Sequence, residues 1–289
     1  MFPASFQYHR AASVKDALGM LQQFGDDAKL LSGGHSLLPM MKLRLAQPTH
    51  LVDIAGVAEL SGVREEGGKI VIGGATIHDN VASNQIVRNK LGLLAEVASA
   101  IGDIQVRNRG TIGGSLAHSD PAADYPAGVL ALEGEIKLES SSGSRVVKAQ
   151  DFFVDLLTTA IKPGEILTGV SFTPHPARTG FAYLKHRQPA SGFAIVGIAA
   201  MVTLDAKGNC ERVRVGVTGL GAKAFRPAAV ESALAGKKPD TGAIGTAAAH
   251  AADGIDPLSD IHASADFRSE LARVYTRRAI QQAIARIKT

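Results

Sequence analysis

The chain has 289 residues, 45% of them hydrophobic and 20% charged, which is apolar material for a substantial core and length for two or three compact units. Its formal net charge is only +4, it has no tryptophan, and no stripe of Arg and Lys is interleaved with stacking aromatics, so composition gives no support to nucleic-acid binding. Much of the basic surplus falls in RVYTRRAIQQAIARIKT, which reads as the solvated face of a helix.

The N-terminal MFPASFQYHRAAS lacks the long apolar core of a signal peptide, so a cytoplasmic location is expected. SVKDALGMLQQFG then predicts a first helix, with Ser13 as its cap, Asp16 three residues on and Gly25 as its stop. AKLLSGG reads as a strand running into a glycine turn, and Leu51 to Ile54 as a short strand beyond it. KIVIGGATIHDNVASN repeats the sequence of apolar run, Gly-Gly pair and polar helix start. LGLLAEVASAIG is an amphipathic helix and leads into DIQVRNRGTIGGSLAHSDPAADYPAGVLALEG. Three apolar-to-Gly-Gly turns in the first half suggest an α+β scaffold that gathers loops together.

EILTGVSFTP reads as a strand closing this region, and HPARTG as a short, turn-rich boundary. Past it, FAYLKHR, FAIVGIAAMVTLD and ERVRVGVTGLG alternate or run apolar as strands of one sheet would. The run FAIVGIAAMV is about half a bilayer span and reads as a buried strand, so no membrane insertion is expected. The only cysteine, Cys210, sits at the end of the turn-like DAKGNC. One thiol cannot form an internal disulfide, ligate an iron–sulfur cluster alone or build a structural zinc site. The nine histidines show no pair at helical metal-ligand spacing, so no metal site is expected. Two or three Ala-rich helices follow, with Ile280, Ile284 and Ile287 on one face of the last, completing an α+β C-terminal domain packed against the first part.

The chemistry belongs to the glycine turns. In SGGHS, Gly33 and Gly34 permit positive φ and leave no Cβ in the way of a ligand. Successive backbone N–H groups in such a turn make an anion-binding concavity, to which Ser36 adds a hydroxyl. TIGGS, Thr111 to Ser115, offers the same equipment, and two facing loops suit the two phosphates of a dinucleotide. Neither turn matches G-x-G-x-x-G or the P-loop, so the Rossmann and Walker readings lack their key residues.

Taken together, SGGHSLLPMMKLRLAQPTHLVDI and RNRGTIGGSLAHSDPAADYPAGVLALEG resemble the two signature segments of the FAD-binding medium subunit of molybdenum hydroxylases, the family of the carbon monoxide dehydrogenase medium subunit and the xanthine dehydrogenase FAD domain. The resemblance runs the whole chain. It implies a two-subdomain FAD-binding domain of the vanillyl-alcohol-oxidase (PCMH) type over residues 1–176, divided near residue 55, and a C-terminal flavoprotein domain over 177–289, entered by YLKHR. It also implies noncovalent FAD, with Ser32, Gly33, Gly34, His35, Ser36 and Leu37 around the diphosphate. Thr111, Ile112, Gly113, Gly114 and Ser115 would complete the phosphate cradle and approach the flavin. Asp124 would hold the polar chain, and Lys185 would stand by the pyrimidine side of the ring. His118, Ile166, Leu167 and Phe193 would line it.

Two departures from the family stand out: Ser32 replaces the usual Ala, with little consequence expected because the backbone does the binding, and Phe193 replaces a Tyr and so lacks its hydroxyl. Without the resemblance, Asp124 reads as a helix cap and Lys185 as an exposed strand end. The resemblance further implies an electron-transfer subunit with no catalytic acid or base of its own. Its partners would be a small [2Fe-2S] subunit and a large molybdopterin subunit, in a heterotrimer or a dimer of heterotrimers. SGGHS is also similar to the loop of covalent vanillyl-alcohol-oxidase flavoproteins, which would make His35 the flavin anchor of a self-sufficient oxidase.

Overall fold

The computed structural model describes residues 1–287. Its first layer is a small parallel sheet of β1 (Gln7–Arg10), β2 (Ala28–Leu31) and β3 (His50–Asp53), in the order β1-β3-β2. The helix Val14–Phe24 connects β1 to β2, as parallel pairing requires. Its start follows from the sequence: the Asp16 N–H donates to Ser13 Oγ at 3.1 Å, while the Asp16 carboxylate accepts the Ala12 N–H at 2.8 Å. Gly25, at φ 55°, ends it.

The second layer is antiparallel. Strands β4 (Val63–Glu66), β5 (Lys69–Gly73), β6 (Glu135–Ser140) and β7 (Gly143–Lys148), followed by the ribbon β8 (Phe153–Asp155) and β9 (Thr158–Thr159), lead to β10 (Ile166–Phe172). The five-stranded sheet runs β4-β5-β10-β6-β7. The hairpin β6–β7, unassigned above, shows the alternation of a half-buried strand at Ile136 and Leu138. Helices from the long excursion between β5 and β6, including Gly92–Ser99 and Asp124–Ala131, share one core with this sheet.

The third layer is β11 (Thr179–Arg187), β12 (Ala194–Leu204) and β13 (Cys210–Thr218), antiparallel and in sequence order. Helices Ala228–Leu234, Thr241–Ala248 and Ala265–Ala285 follow. The central strand β12 touches Ala265–Ala285 as well as the helices Gly92–Ser99 and Asp124–Ala131 of the second layer. Both faces are covered, which is why this strand runs apolar without alternating. Ile280 is fully buried, with Ile284 and Ile287 packed beside it, so the face read from the last helix is the one that docks. Among the described residues, no helix is long and apolar enough to cross a membrane.

A candidate cofactor cleft among three glycine turns

All three glycine turns meet at one place, through backbone contacts that a side chain would forbid. A Cβ on Gly33 would stand 2.3 Å from the Arg109 carbonyl oxygen and 2.7 Å from Gly110 Cα, so the first turn lies directly on the backbone entering the second. A Cβ on Gly113 would stand 2.5 Å from the Gly74 oxygen, and one on Gly74 would stand 2.4 Å from the Leu167 oxygen. The Gly73–Gly74 turn therefore seats the second turn against β10. Ser32 Oγ and Thr111 Oγ1, 3.0 Å apart, add a side-chain hydrogen bond between the first two turns. That corrects the expectation for Ser32: its hydroxyl, which Ala lacks, ties the loops together.

The two loops differ in what they offer a ligand. Among the described residues, nothing accepts a hydrogen bond from the N–H groups of Gly33, Gly34, His35, Ser36 or Leu37. Gly34 is at φ 77°, and the turn is closed behind it by the Leu38 N–H donating to the Gly34 oxygen at 3.0 Å. In the second loop the amides from Ile112 to Ser115 are committed. Ile112 donates to the Thr76 oxygen at 3.0 Å, Gly113 to the Gly74 oxygen at 2.8 Å, and Ser115 to the Thr111 oxygen at 3.0 Å. Gly114 donates to Thr111 Oγ1 at 3.2 Å, the N-cap bond of helix Ile112–His118. The first turn thus presents donors, and the second supplies a close-packed wall.

These turns border a cleft of about 680 Å³, and every residue assigned to the site from the sequence lines it except Ile112 and Lys185. Ile112 is fully buried in the second-layer core, so neither its side chain nor its N–H faces a ligand. Lys185 stands behind the wall, its side chain only 7% exposed, with Nζ 2.8 Å from Asp124 Oδ1, 3.0 Å from Oδ2 and 2.7 Å from the Gly192 oxygen. The strand-end reading of Lys185 therefore fails. So does the cap reading of Asp124, because Ala123 is the N-cap and the carboxylate turns to β11, where Tyr183 Oη donates to Oδ1 at 2.5 Å. Burial pushes the Asp124 carboxyl up from its ordinary value, and the Lys185 ammonium and Tyr183 hydroxyl pull against that rise. Phe193 is 46% exposed at the cleft, an aromatic face open to a ligand.

Sequence reasoning missed much of the lining, and two of the missed parts carry chemistry of their own. One is the turn Ile161–Glu165, held in place by Arg145, whose Nε and Nη2 contact Glu165 at 2.7 and 2.8 Å. KPGE is legible as a turn, but its position beside the cleft depends on β7, far away in sequence. The other is His78, buried at 5% exposure, with Nδ1 unpartnered among the described residues. Burial, with the nearby His35 and Arg107 charges acting in the same sense, lowers its pKa to about 3, so the cleft wall holds a neutral imidazole there. Its only signal in the sequence was HDN at a polar helix start.

A glycine turn whose five amides find no acceptor among the described residues, at a cleft also lined by a buried carboxylate, defines an α+β protein with a cleft suited to an anionic ligand. Residues 4–175 match the FAD binding domain in molybdopterin dehydrogenase, and residues 181–283 match the CO dehydrogenase flavoprotein C-terminal domain. The chain belongs to this family of FAD-binding subunits of molybdopterin-dependent oxidoreductases. It is 41% identical to the carbon monoxide dehydrogenase medium chain of Hydrogenophaga pseudoflava, over 99% of each chain. It is 37% identical to the 6-hydroxypseudooxynicotine dehydrogenase complex subunit alpha of Paenarthrobacter nicotinovorans, over 100% of this chain and 97% of that one. A solved structure of carbon monoxide dehydrogenase from Hydrogenophaga pseudoflava superposes with a TM-score of 0.97 at 42% identity, covering 100% of both chains. Matches across both halves of the chain do not favour the reading of a self-sufficient oxidase anchored at His35.

Proposed function

We propose that this chain is the FAD-carrying electron-transfer subunit of a molybdenum hydroxylase, accepting electrons from [2Fe-2S] clusters on a partner subunit and passing them to an external acceptor. The observation that carries the reading is the row of unpaired amides from Gly33 to Leu37 at the cleft, a donor set for a diphosphate. The Ser36 hydroxyl adds to it, Asp124 would accept from hydroxyls of the polar chain, and Phe193, Ile166 and Leu167 would give the ring its apolar contact. Thr111, Gly113, Gly114, Ser115 and His118 form the facing wall, with Lys185 holding Asp124 from behind. Bound FAD supplies a redox centre able to exchange electrons one or two at a time. The chain's own work is to bind and orient that centre and to keep its surroundings fixed.

The cluster and the molybdenum centre belong, in this reading, to a small and a large partner subunit in a heterotrimer or a dimer of heterotrimers. A single buried cysteine supports that assignment, since a cluster needs several. The purified protein is expected to be yellow and to release its FAD to the supernatant on acid precipitation. Colour held in the pellet would instead point to covalent attachment. In native extract the chain should co-purify with a small partner carrying iron and a large partner carrying molybdenum, and strictly monomeric behaviour would count against the proposal. Asp124→Ala should weaken FAD binding by roughly 1–3 kcal/mol, the range for a hydrogen bond to a charged group. A folded variant with unaltered FAD affinity would remove Asp124 from the site.

A further inference from the structure

The C-terminal sheet grips the segment Pro121–Asp124. Thr218 Oγ1 lies 2.8 Å from the carbonyl oxygens of both Pro121 and Ala123. The Gly219 N–H donates to the Pro121 oxygen at 2.7 Å, and the Ala194 N–H to the Ala122 oxygen at 3.2 Å. Of two glycines of that sheet, Gly216 allows the approach to the helix Asp124–Ala131, and Gly197 leaves space for the Tyr183 hydroxyl of the neighbouring strand. A Cβ on Gly216 would stand 2.0 Å from the Ala127 oxygen, and one on Gly197 would stand 2.5 Å from Tyr183 Oη. The phenol is buried, and burial beside the Asp124 carboxylate raises its pKa far above the ordinary value, so it stays protonated and acts as a donor.

Asp124 accepts from Tyr183 at Oδ1 and from Lys185 at both oxygens. The Lys185 ammonium is one donor shared between the two oxygens, so with Tyr183 and the residue's own backbone N–H there are three donors for about four lone-pair sites, and room for one more remains where the carboxylate lines the cleft. We propose that Tyr183 is a positioning residue of the cleft: its hydroxyl fixes the Asp124 carboxylate so that the remaining acceptor site serves a hydroxyl of the cofactor's polar chain, which makes the C-terminal sheet part of the cofactor site. This rests on the FAD reading above and deepens it. The titratable groups facing Asp124 are Lys185 and Tyr183 from β11 and the Tyr125 phenol on its own helix. Without the Tyr183 donor, Lys185 alone holds the charged carboxylate in a buried place. The carboxyl then takes up a proton at higher pH, and its acceptor site is lost with that proton.

The test is titration of the full-length, deflavinated chain with FAD between about pH 5 and pH 9, wide enough to bracket an elevated carboxyl pKa. At the alkaline end, Tyr183→Phe should weaken FAD binding about tenfold, the equivalent of one hydrogen bond to a charged group. The fall in affinity on acidification should begin at higher pH than in the wild type. In an Asp124→Asn background, Tyr183→Phe should change neither affinity nor pH profile, because the partner it positions is gone. Weaker binding with an unshifted profile, or additive losses in the double variant, would reduce Tyr183 to a packing residue and overturn the inference. If Tyr183→Phe does not fold, Gly197→Ala, which presses a Cβ on the phenol oxygen, is titrated in its place and should give the same shift. A wild-type chain that binds no FAD would sink the family-level reading. Wild-type binding matched by Tyr183→Phe at every pH would sink the positioning role alone.

Discussion

Gly114→Val is expected to empty the cleft of FAD while leaving the chain folded. The neighbouring glycines show why this position discriminates. A Cβ on Gly33 or Gly113 meets backbone atoms of another turn at 2.3 and 2.5 Å, so substitution there breaks the scaffold and says nothing about a ligand. A Cβ on Gly114 meets no backbone of another turn and only Thr111 Oγ1, at 2.8 Å, so the cost to the scaffold is a local shift of the hydroxyl that caps this helix and bonds Ser32, which the folding control reads. Gly114 nevertheless lines the cleft. Valine at this point would put its methyl groups into the cleft in which FAD is proposed to bind, and overpacking of a filled site costs on the order of 3 kcal/mol, about a hundredfold in affinity. The measurement is flavin content per chain after purification, with the thermal midpoint as the control for folding. Unchanged flavin content in a variant of unchanged midpoint would take the second turn out of the site.

What the sequence made legible was local. Ser13, Asp16 and Gly25 mark the first helix because caps and stops act over three or four residues, and the α+β class follows from apolar runs whose period does not depend on partners. The turns Ser32–Ser36 and Thr111–Ser115 were visible for the same reason. Whether two turns meet is a tertiary fact, and here it rests on Gly33 against Arg109–Gly110 and on the Ser32–Thr111 hydrogen bond. The non-equivalence of the turns was hidden as well, since TIGGS and SGGHS both read as Gly-Gly turns flanked by hydroxyl residues, and only the acceptors at Thr76, Gly74 and Thr111 reveal that the amides from Ile112 to Ser115 are already taken. Lys185 and Asp124 carried chemistry in their types, but nothing in the chain order says that a strand of the third layer closes on the first turn of a helix in the second. Tyr183, two residues before Lys185 and on the same face of β11, is the residue that the period-2 rule puts beside it.

Acidification from neutral pH should destabilise the folded chain well before its carboxylates titrate. His78 and His175 are buried, and burial lowers their pKa values to about 3 and about 4. In the unfolded chain both return to about 6.5. Between those values the unfolded state binds protons that the folded state does not, so stability falls as pH falls, by about 1.4 kcal/mol per pH unit for each histidine. At about pH 5 the pair together should have removed about 4 kcal/mol, a large share of an ordinary domain's stability. Glu165, whose carboxyl is held down by Arg145, adds its loss only at lower pH, where carboxylates protonate. Asp124 works in the opposite sense, because a carboxyl raised in the folded state takes up its proton there first. His175 lies outside the cleft lining, its Nε2 buried without a partner among the described residues and its ring 5.1 Å from that of Phe181, so it separates the effect of burial from that of the site. The double variant His78→Gln, His175→Gln should show a denaturation midpoint much less sensitive to pH between about 7 and 5 than the wild type, with His175→Gln alone giving roughly half the change. A double variant that keeps the wild-type slope would mean that the buried imidazoles gain their protons without unfolding, and that the acid sensitivity of this fold resides elsewhere.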